Sequence, residues 1–406
     1  MATASGGRRR PVQAALDLFF FVFAGMASLW LAWLVLREGV EPGWRSLLVL
    51  VFWLLVAYLA LPRVHRILSA IYLPDYFIGR TRTADGLLGD PVNLALRGPE
   101  VALHAAMERA GWTRADDLSF RTGWRIVTST LTRRSYPAAP VSPLLLFGRQ
   151  QDFAYQQEVA GSPSKRHHVR FWRCPDGWLL PGGFQVDWLA AGTYDRSVGL
   201  SLFTGQITHK IAKDVDVERD HIVASLTLAT PATELEVLAN FASGYHSRNG
   251  GGDLIETDGN LPVLDLTRVA PSGPDVLEPA GPVPVVPRRP PQTVFGAATA
   301  GLRGLFLAAL LVASPDLLTT AAGVVIGVAA LLDVSIAVAV LARRNWARIW
   351  LCGTSVVTIV LAYIGNATGS ERIRLETNLV TVAISVLVLL ALSSKPAREF
   401  ASRVSA

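Results

Sequence analysis

The sequence predicts a multi-pass α-helical membrane protein of about six spans with an inserted α+β cytoplasmic domain. Three observations predict it. The 406 residues are 51% hydrophobic and 17% charged, and an ordinary soluble domain carries about 25% charge. The long apolar runs sit in the first sixty-odd and the last hundred-odd residues, while Thr81–Ala270 holds none of bilayer length. Basic residues collect at alternate ends of the runs, as they do on the cytoplasmic side of a membrane.

The first run is Ala14–Leu36, broken only by Asp17, and the second is Ser46–Leu61. Four more follow: Val294–Ala313, Leu317–Ala342, Ile349–Ile364 and Leu375–Leu392. Each approaches the roughly 20 residues that cross a bilayer core. The first run reads as a permanent anchor rather than a cleaved signal. It is too long for a signal core, and Arg37-Glu38 follows it where a small-residue cleavage site would stand.

Orientation follows from Arg and Lys. Arg8, Arg9 and Arg10 place the N-terminus in the cytoplasm, and Arg63 and Arg66 bring the hairpin back to that side. Arg288-Arg289, then Arg343, Arg344 and Arg348, then Lys395, Arg398 and Arg403 fall on the same side if six spans are counted. The domains read as a transmembrane hairpin with its juxtamembrane segment over 1–80 and an α+β domain over 81–270. A Pro-rich, stiff linker over 271–293, a four-span unit over 294–393 and a cytoplasmic tail over 394–406 complete the chain. A cell (inner) membrane location with both termini and the domain inside is expected.

Within the domain, Val92–Leu96 reads as a strand after Asp90-Pro91, and Gly98-Pro99 opens a helix that Gly111 ends. His168–Arg173 alternates as a strand does. Thr193–Phe203 alternates too, putting Tyr194, Val198, Leu200 and Leu202 on one face. Asp195, Ser197, Gly199 and Ser201 fall on the other. Asp214–Leu228 reads as a helix whose first turns hold Asp214, Asp216, Glu218 and Asp220, complementing the positive helix end. A second helix is expected over Ala232–Ala242, followed by a flexible Asn249–Gly252 loop.

Net charge is +6. With no zinc spacing, RNA-binding signature or helix-turn-helix, no nucleic-acid partner is expected. Cys174 and Cys352 make no disulfide framework. No P-loop, dinucleotide fingerprint or Gly-x-Ser-x-Gly elbow appears, and the two His-x-Ser/Thr repeats of a two-histidine phosphoesterase are missing.

Two dense strings stand out. One runs Pro140–Asp152 and on to His167–Arg173; the other comprises Thr193–Ser201 and Thr204–Ile211. With Asp90–Asn93, Ala110–Trp112, Gly161–Pro163 and Asp214–Asp220, in this order, they resemble the LssY C-terminal domain family over roughly residues 89–226. That family is named after a type I secretion system component. The resemblance implies a membrane context and a place in an envelope or secretion system, but no reaction. Some relatives carry DedA-like or lipid-phosphatase-like membrane domains. This chain has only a hairpin before the domain and no lipid-phosphatase signature, so that activity does not carry over.

The residues themselves support two kinds of function. Lys165, Arg166, Arg170, Arg173, Arg149, Arg196 and Lys210 all lie in or beside the strings. Of these Arg149, Arg170, Arg196 and Lys210, with Tyr194, offer an anion-binding set, because guanidinium forks match phosphate and carboxylate. On this reading the domain binds an anionic ligand, a lipid headgroup or a protein partner, with the bilayer as the other partner. The alternative is a metal-dependent hydrolase-type enzyme on a phosphate-bearing or lipid substrate, using His168, His209 and Asp195; imidazole plus carboxylate suits zinc or iron. Adjacent His167 and His168 point to opposite faces of a strand, so at most one joins a given site. His167, on the face of Val169 and Phe171, is expected to be a hydrogen-bonded core residue. In the last four spans, Arg303 and Asp333 lie about equally far from the Leu317-Leu318 turn. Either charge alone costs about 3 kcal/mol at mid-membrane, so the two are expected to pair. These few polar groups do not suggest a transporter.

Overall fold

The computed structural model describes residues 11–73, 76–116, 141–159, 162–242, 248–270, 289–314, 316, 320–370, 372–375 and 378–402. Arg8–Arg10, Pro140, Gly161, most of the Pro-rich linker, the Leu317-Leu318 turn and Arg403 lie outside them. The chain divides into two units, residues 1–61 with 282–406, and residues 62–281.

The first unit is helical. Five helices are long and apolar enough to cross a membrane: Pro11–Gly39, Trp44–Tyr72, Pro291–Ala313, Gly323–Leu341 and Asn345–Ala367. A sixth is reached only if Leu379–Leu392 and Lys395–Ser402, bent by 62°, make one span. Leu379–Leu392 alone has 14 residues, about 21 Å of helix against a core of about 30 Å. The helix of the second apolar run extends beyond Leu61, where the apolar run itself ends. One helical segment continues to Tyr72, because Leu61–Tyr72 turns amphipathic rather than breaking. Ala24, Leu31, Leu34, Ala300, Leu351, Cys352, Val386 and Leu389 form the unit's core.

The second unit is built on β-sheet. Its strands are β1 (Arg80–Thr83), β2 (Leu88–Pro91), β3 (Leu94–Arg97), β4 (Thr113–Arg114), β5 (Leu144–Leu146), β6 (Arg149–Gln150) and β7 (Phe153–Val159). There follow β8 (Ser162–Arg173), β9 (Leu179–Leu180), β10 (Phe184–Gln185), β11 (Trp188–Leu200), β12 (Ile207–Ile211), β13 (Glu234–Leu238) and β14 (Leu261–Asp265). The main sheet has the order β13-β14-β3-β11-β8-β7-β4, with β12 hydrogen-bonded to β11. A second sheet has the order β2-β1-β5-β6.

Period-two alternation gives the main sheet two faces. Val169 and Phe171 of β8 and Trp188 and Ala190 of β11 join the core under helices Glu100–Arg109 and Asp216–Ala229. Trp172, Leu189 and Ala191 face the other way, into a core shared with Leu144 and Leu146 of the second sheet. At Gly192 the helix and sheet approach closely. A Cβ there would lie 2.3 Å from Ile222 Cδ1.

Three expectations change. Glu234–Leu238, expected as part of a helix, is β13, paired antiparallel with β14. Its Leu and Glu residues are helix formers, but cross-strand pairing overrides propensity. Asn249–Gly252 is a closed turn, not a flexible loop. The Asn249 side-chain oxygen accepts the N–H groups of Gly251 and Asp253, the local bonding Asn favours in turns.

The third change is in β11. Before Asp195 the strand pairs in step with β8, but between Asp195 and Ser197 its register on β12 shifts. Asp195 opposes Ile211, whereas Val198 opposes His209 and Leu200 opposes Ile207. An extra residue in a strand turns the following side chains over. Val198 and Leu200 therefore share the face of Asp195, not that of Tyr194.

Candidate functional site

The face of β8 and β11 turned away from the helices opens into a cleft of about 290 Å³. Alternation on β8 delivers Arg166, His168 and Arg170 to it, and β7 adds Gln156. Asp195 comes from β11 and His209 from β12; Ile211, two residues from His209, stands opposite Asp195, so antiparallel pairing puts all three on one face. Asp85 and Asp90 line the cleft from the second sheet, and the Asn249–Gly251 turn closes one end.

The centre is one carboxylate between two imidazoles. Asp195 Oδ2 lies 3.4 Å from His168 Nδ1 and 3.3 Å from His209 Nδ1. His168 is buried, and its Nε2 shares a 2.7 Å hydrogen bond with the Thr193 hydroxyl. Both nitrogens of this ring face fixed neighbours. His209 is nearly half exposed at its side chain, with Nδ1 toward Asp195 and Nε2 directed away by the geometry of the ring.

Charge around this centre is uneven. Burial works to raise the Asp195 pKa, but the charges of His168, His209 and Arg170 prevail and hold it below the usual carboxylate value. Burial pushes the His209 pKa below that of an ordinary histidine; Asp195 opposes this, and His168, Arg166 and Arg170 add to it. Burial raises the Asp85 pKa against the opposing pull of Arg66, Gln206 and His65. The site therefore presents an ionised carboxylate orienting a histidine that stays neutral near pH 7, the protonation state of a general base.

Two guanidiniums flank it. Arg170 donates Nε–H to the Ser142 carbonyl at 3.1 Å and Nη1–H to Asp90 Oδ2 at 3.1 Å. Arg166 donates Nη1–H to Gln156 Oε1 at 3.3 Å, and its Nε is buried with no hydrogen-bond partner. Arg166 Nη2 also pairs with Glu158 at 3.9 Å. With five N–H groups on each guanidinium, neither fork spends all its donors on these partners. Among the described residues no serine, threonine or cysteine side chain hydrogen-bonds the His209 ring. Chemistry here falls to a water or to a group on the ligand.

The metal reading fares less well. Among the described residues no group of three or more His, Cys, Asp or Glu is placed to hold a metal ion. Both Nδ1 atoms face the same carboxylate oxygen, and Thr193 takes the remaining nitrogen of His168.

Of the anion-binding set only Arg170 lines the cleft. Arg149 pairs with Asp152 and donates to the Arg173 carbonyl. Tyr194 packs against His167 on the helix face, ring centroids 4.9 Å apart. Arg196, in the bulge after Asp195, is exposed. Lys210, on the β12 face opposite His209, donates to the Gly251 carbonyl at 2.8 Å and pairs with Asp253 at 3.3 Å. Arg166, one of the basic residues of the strings, lines the cleft too, and Gln156, Asp85 and the Asn249–Gly251 turn complete it without having been singled out. The Asn-Gly-Gly signal of a tight turn was the only hint of the last.

In the helical unit, Arg303 and Asp333 meet. Nε and Nη2 of Arg303 donate to the two Asp333 oxygens at 2.7 Å each, and Nη1 donates to the hydroxyls of Ser355 and Ser385 at 3.1 and 3.2 Å. A second buried pair, Arg348 with Asp17, joins helix Asn345–Ala367 to helix Pro11–Gly39. Arg348 read as a loop residue in the sequence, and Asp17 as an interruption. The signal was there in two opposite charges, each beside an apolar run.

No curated protein and no solved structure matches this chain detectably. Residues 70–261 match the family model described as LssY C-terminus. The segment that builds this cleft is the part of the chain that matches the LssY C-terminus family, as the resemblance read from the sequence implies.

Proposed function

We propose that this chain is a multi-pass protein of the inner membrane whose LssY domain binds a phosphate-bearing, anionic ligand in the cleft and hydrolyses it. His209 acts as general base. What carries the reading is the convergence of His168, Asp195 and His209 between Arg166 and Arg170 in one cleft. A flat basic face with its histidines buried would have favoured binding alone.

In this reading Arg166 and Arg170 hold the phosphate oxygens, as guanidinium forks do. His209 Nε2 takes a proton from water, whose oxygen attacks phosphorus. The phosphorus–oxygen ester bond breaks, and the leaving oxygen takes up the proton from the imidazolium. Asp195 fixes the ring and stabilises the imidazolium that forms. His168, tied to Thr193, holds Asp195 in place rather than exchanging protons with the ligand.

The test is release of 4-nitrophenol from 4-nitrophenyl phosphate by the full-length protein in detergent, beside binding of inorganic phosphate. Turnover lost in His209→Gln and Asp195→Asn, with phosphate binding retained in His209→Gln, supports the reading. A second reading, ligand binding without turnover, is favoured by the lack of a side-chain nucleophile beside His209. Phosphate binding with no turnover would select it, and neither binding nor turnover would overturn both.

A further inference from the structure

A second cavity, of about 370 Å³, shares Leu87, Asn249 and Gly250 with the catalytic cleft. Its volume is in the range of small-molecule sites, but its character differs. Leu68, Tyr72, Leu73, Leu88 and Phe203 wall it. Two cavities with a common wall, one lined by ionised groups and the other mainly by apolar side chains with His65, Ser69 and Arg248 among them, fit a ligand with a charged end and an apolar end.

Two observations say where such a ligand comes from. The wall residues Leu68 and Tyr72 lie on the amphipathic end of the helical segment Trp44–Tyr72, which contains a stretch long and apolar enough to cross a membrane. Leu68 stands about 10 Å along the helix axis beyond Leu61, where the apolar run ends. Against this segment the β11–β12 hairpin is fixed by a 2.9 Å hydrogen bond between His65 Nε2 and the Phe203 carbonyl. The hairpin exposes Val198, Leu200, Leu202 and Ile207. Since the β11 bulge turns Val198 and Leu200 to the face of Asp195 and His209, this apolar surface borders the cleft mouth. Exposed apolar surface of this kind marks a membrane or partner site. Here it adjoins the segment that leaves the membrane.

We propose that the ligand is a phosphate-headed lipid drawn from the bilayer. Its head would sit in the His209–Asp195 cleft and its acyl chain in the Leu68–Tyr72–Phe203 cavity. This deepens the phosphate reading above and rests on it.

The experiment uses full-length protein in phosphatidylcholine nanodiscs, with empty nanodiscs as the control. Binding of a lysophosphatidate is compared with binding of glycerol 3-phosphate, which has the same head and no chain. The lysophosphatidate carries a diazirine at its chain end, so the site of the chain is mapped by crosslinking. The expected result is binding at least tenfold tighter with the chain, and crosslinks on residues 65–73 or 202–203. The Leu68→Asn, Tyr72→Asn double variant should lose that gain and bind glycerol 3-phosphate as before. Both side chains are largely exposed, and the wild-type crosslink map stands even if the variant does not fold. Equal binding of the two probes, or crosslinks confined to the other membrane helices, would overturn the lipid inference and leave the phosphate reading intact. Failure of both probes to bind would remove the phosphate reading and this inference together.

Discussion

Two histidine–carboxylate clusters lie on opposite faces of β8, and only one of them opens into a cleft. On the helix face, His167 Nδ1 meets Glu218 Oε2 at 2.6 Å, and its ring stacks on His221 at 4.3 Å between centroids. His221 in turn meets Gln157. On the cleft face, Asp195 stands between His168 and His209. Residue types are nearly the same. The surroundings differ: a helix supplies Glu218 and His221 and packs the first cluster against the sheet, whereas the second opens to a cavity with guanidinium groups beside it. One step along β8, from His167 to His168, separates a packing histidine from a site histidine.

The sharpest way to break this contrast is to disable each cluster in turn. His209→Gln and Asp195→Asn should each lower turnover of 4-nitrophenyl phosphate by about 10²- to 10⁴-fold, the usual worth of general acid–base groups. A glutamine in place of His221 should leave turnover within about twofold. Equal losses on both faces would mean that the contrast is structural only.

Next in size is the seam between the faces. Gly192 lets Ile222 of the covering helix reach the sheet. Gly192→Ala should cost about 1–3 kcal/mol through overpacking, read as a lowered denaturation midpoint. Both clusters would suffer together, because the strand that carries Asp195 also seats the helix that carries Glu218. Loss of activity without loss of stability would argue that the helix is not what positions β11.

The pH response divides the faces more finely. Asp195, His209 and His221 all have folded-state pKa values below their ordinary ones. Between the depressed and the ordinary value the native state binds fewer protons than the unfolded chain, so stability rises with pH there and is lost as pH falls. For the histidines that window lies below about pH 6.5, and for Asp195 below about pH 3.9. Activity should rise with pH as His209 loses its proton, with a midpoint below that of free histidine. His221→Gln should flatten the stability loss in the upper window and leave the activity midpoint unmoved. A midpoint that moved with His221 would place the working base on the wrong face.

Much of this arrangement was legible beforehand, and the boundary of legibility is physical. Alternation separates His167 from His168 with no knowledge of the fold, since a strand has period two. The Arg303–Asp333 pairing follows from the cost of lone charges in hydrocarbon. Long-range partners are another matter. Nothing local says that β12 pairs with β11 so that His209 reaches Asp195, nor that helix Asp216–Ala229 brings Glu218 to His167. The bulge after Asp195 hid in a perfect apolar alternation, and it reversed Val198 and Leu200. Arg149, Tyr194, Arg196 and Lys210 looked like ligands because they are basic or aromatic and near the strings in sequence. Their faces and their neighbours decide otherwise.

The smallest expected effect concerns His167 itself. Its side chain is about a quarter exposed, while Glu218 is buried. Glutamine can still donate to the Glu218 carboxylate, so His167→Gln should cost only about 1 kcal/mol, the net worth of one hydrogen bond, and leave turnover unchanged. His167→Leu removes the donor and leaves a buried carboxylate unpaired, which should cost about 3 kcal/mol or more. Glu218→Gln in the same chain should recover part of that loss, because a neutral amide is far cheaper to bury than an unpaired charge. Denaturation midpoints of the three variants decide it. If His167→Gln lowered turnover as strongly as His209→Gln, the two faces would be coupled through β8, and the division between packing and chemistry argued from alternation would fail at its first residue.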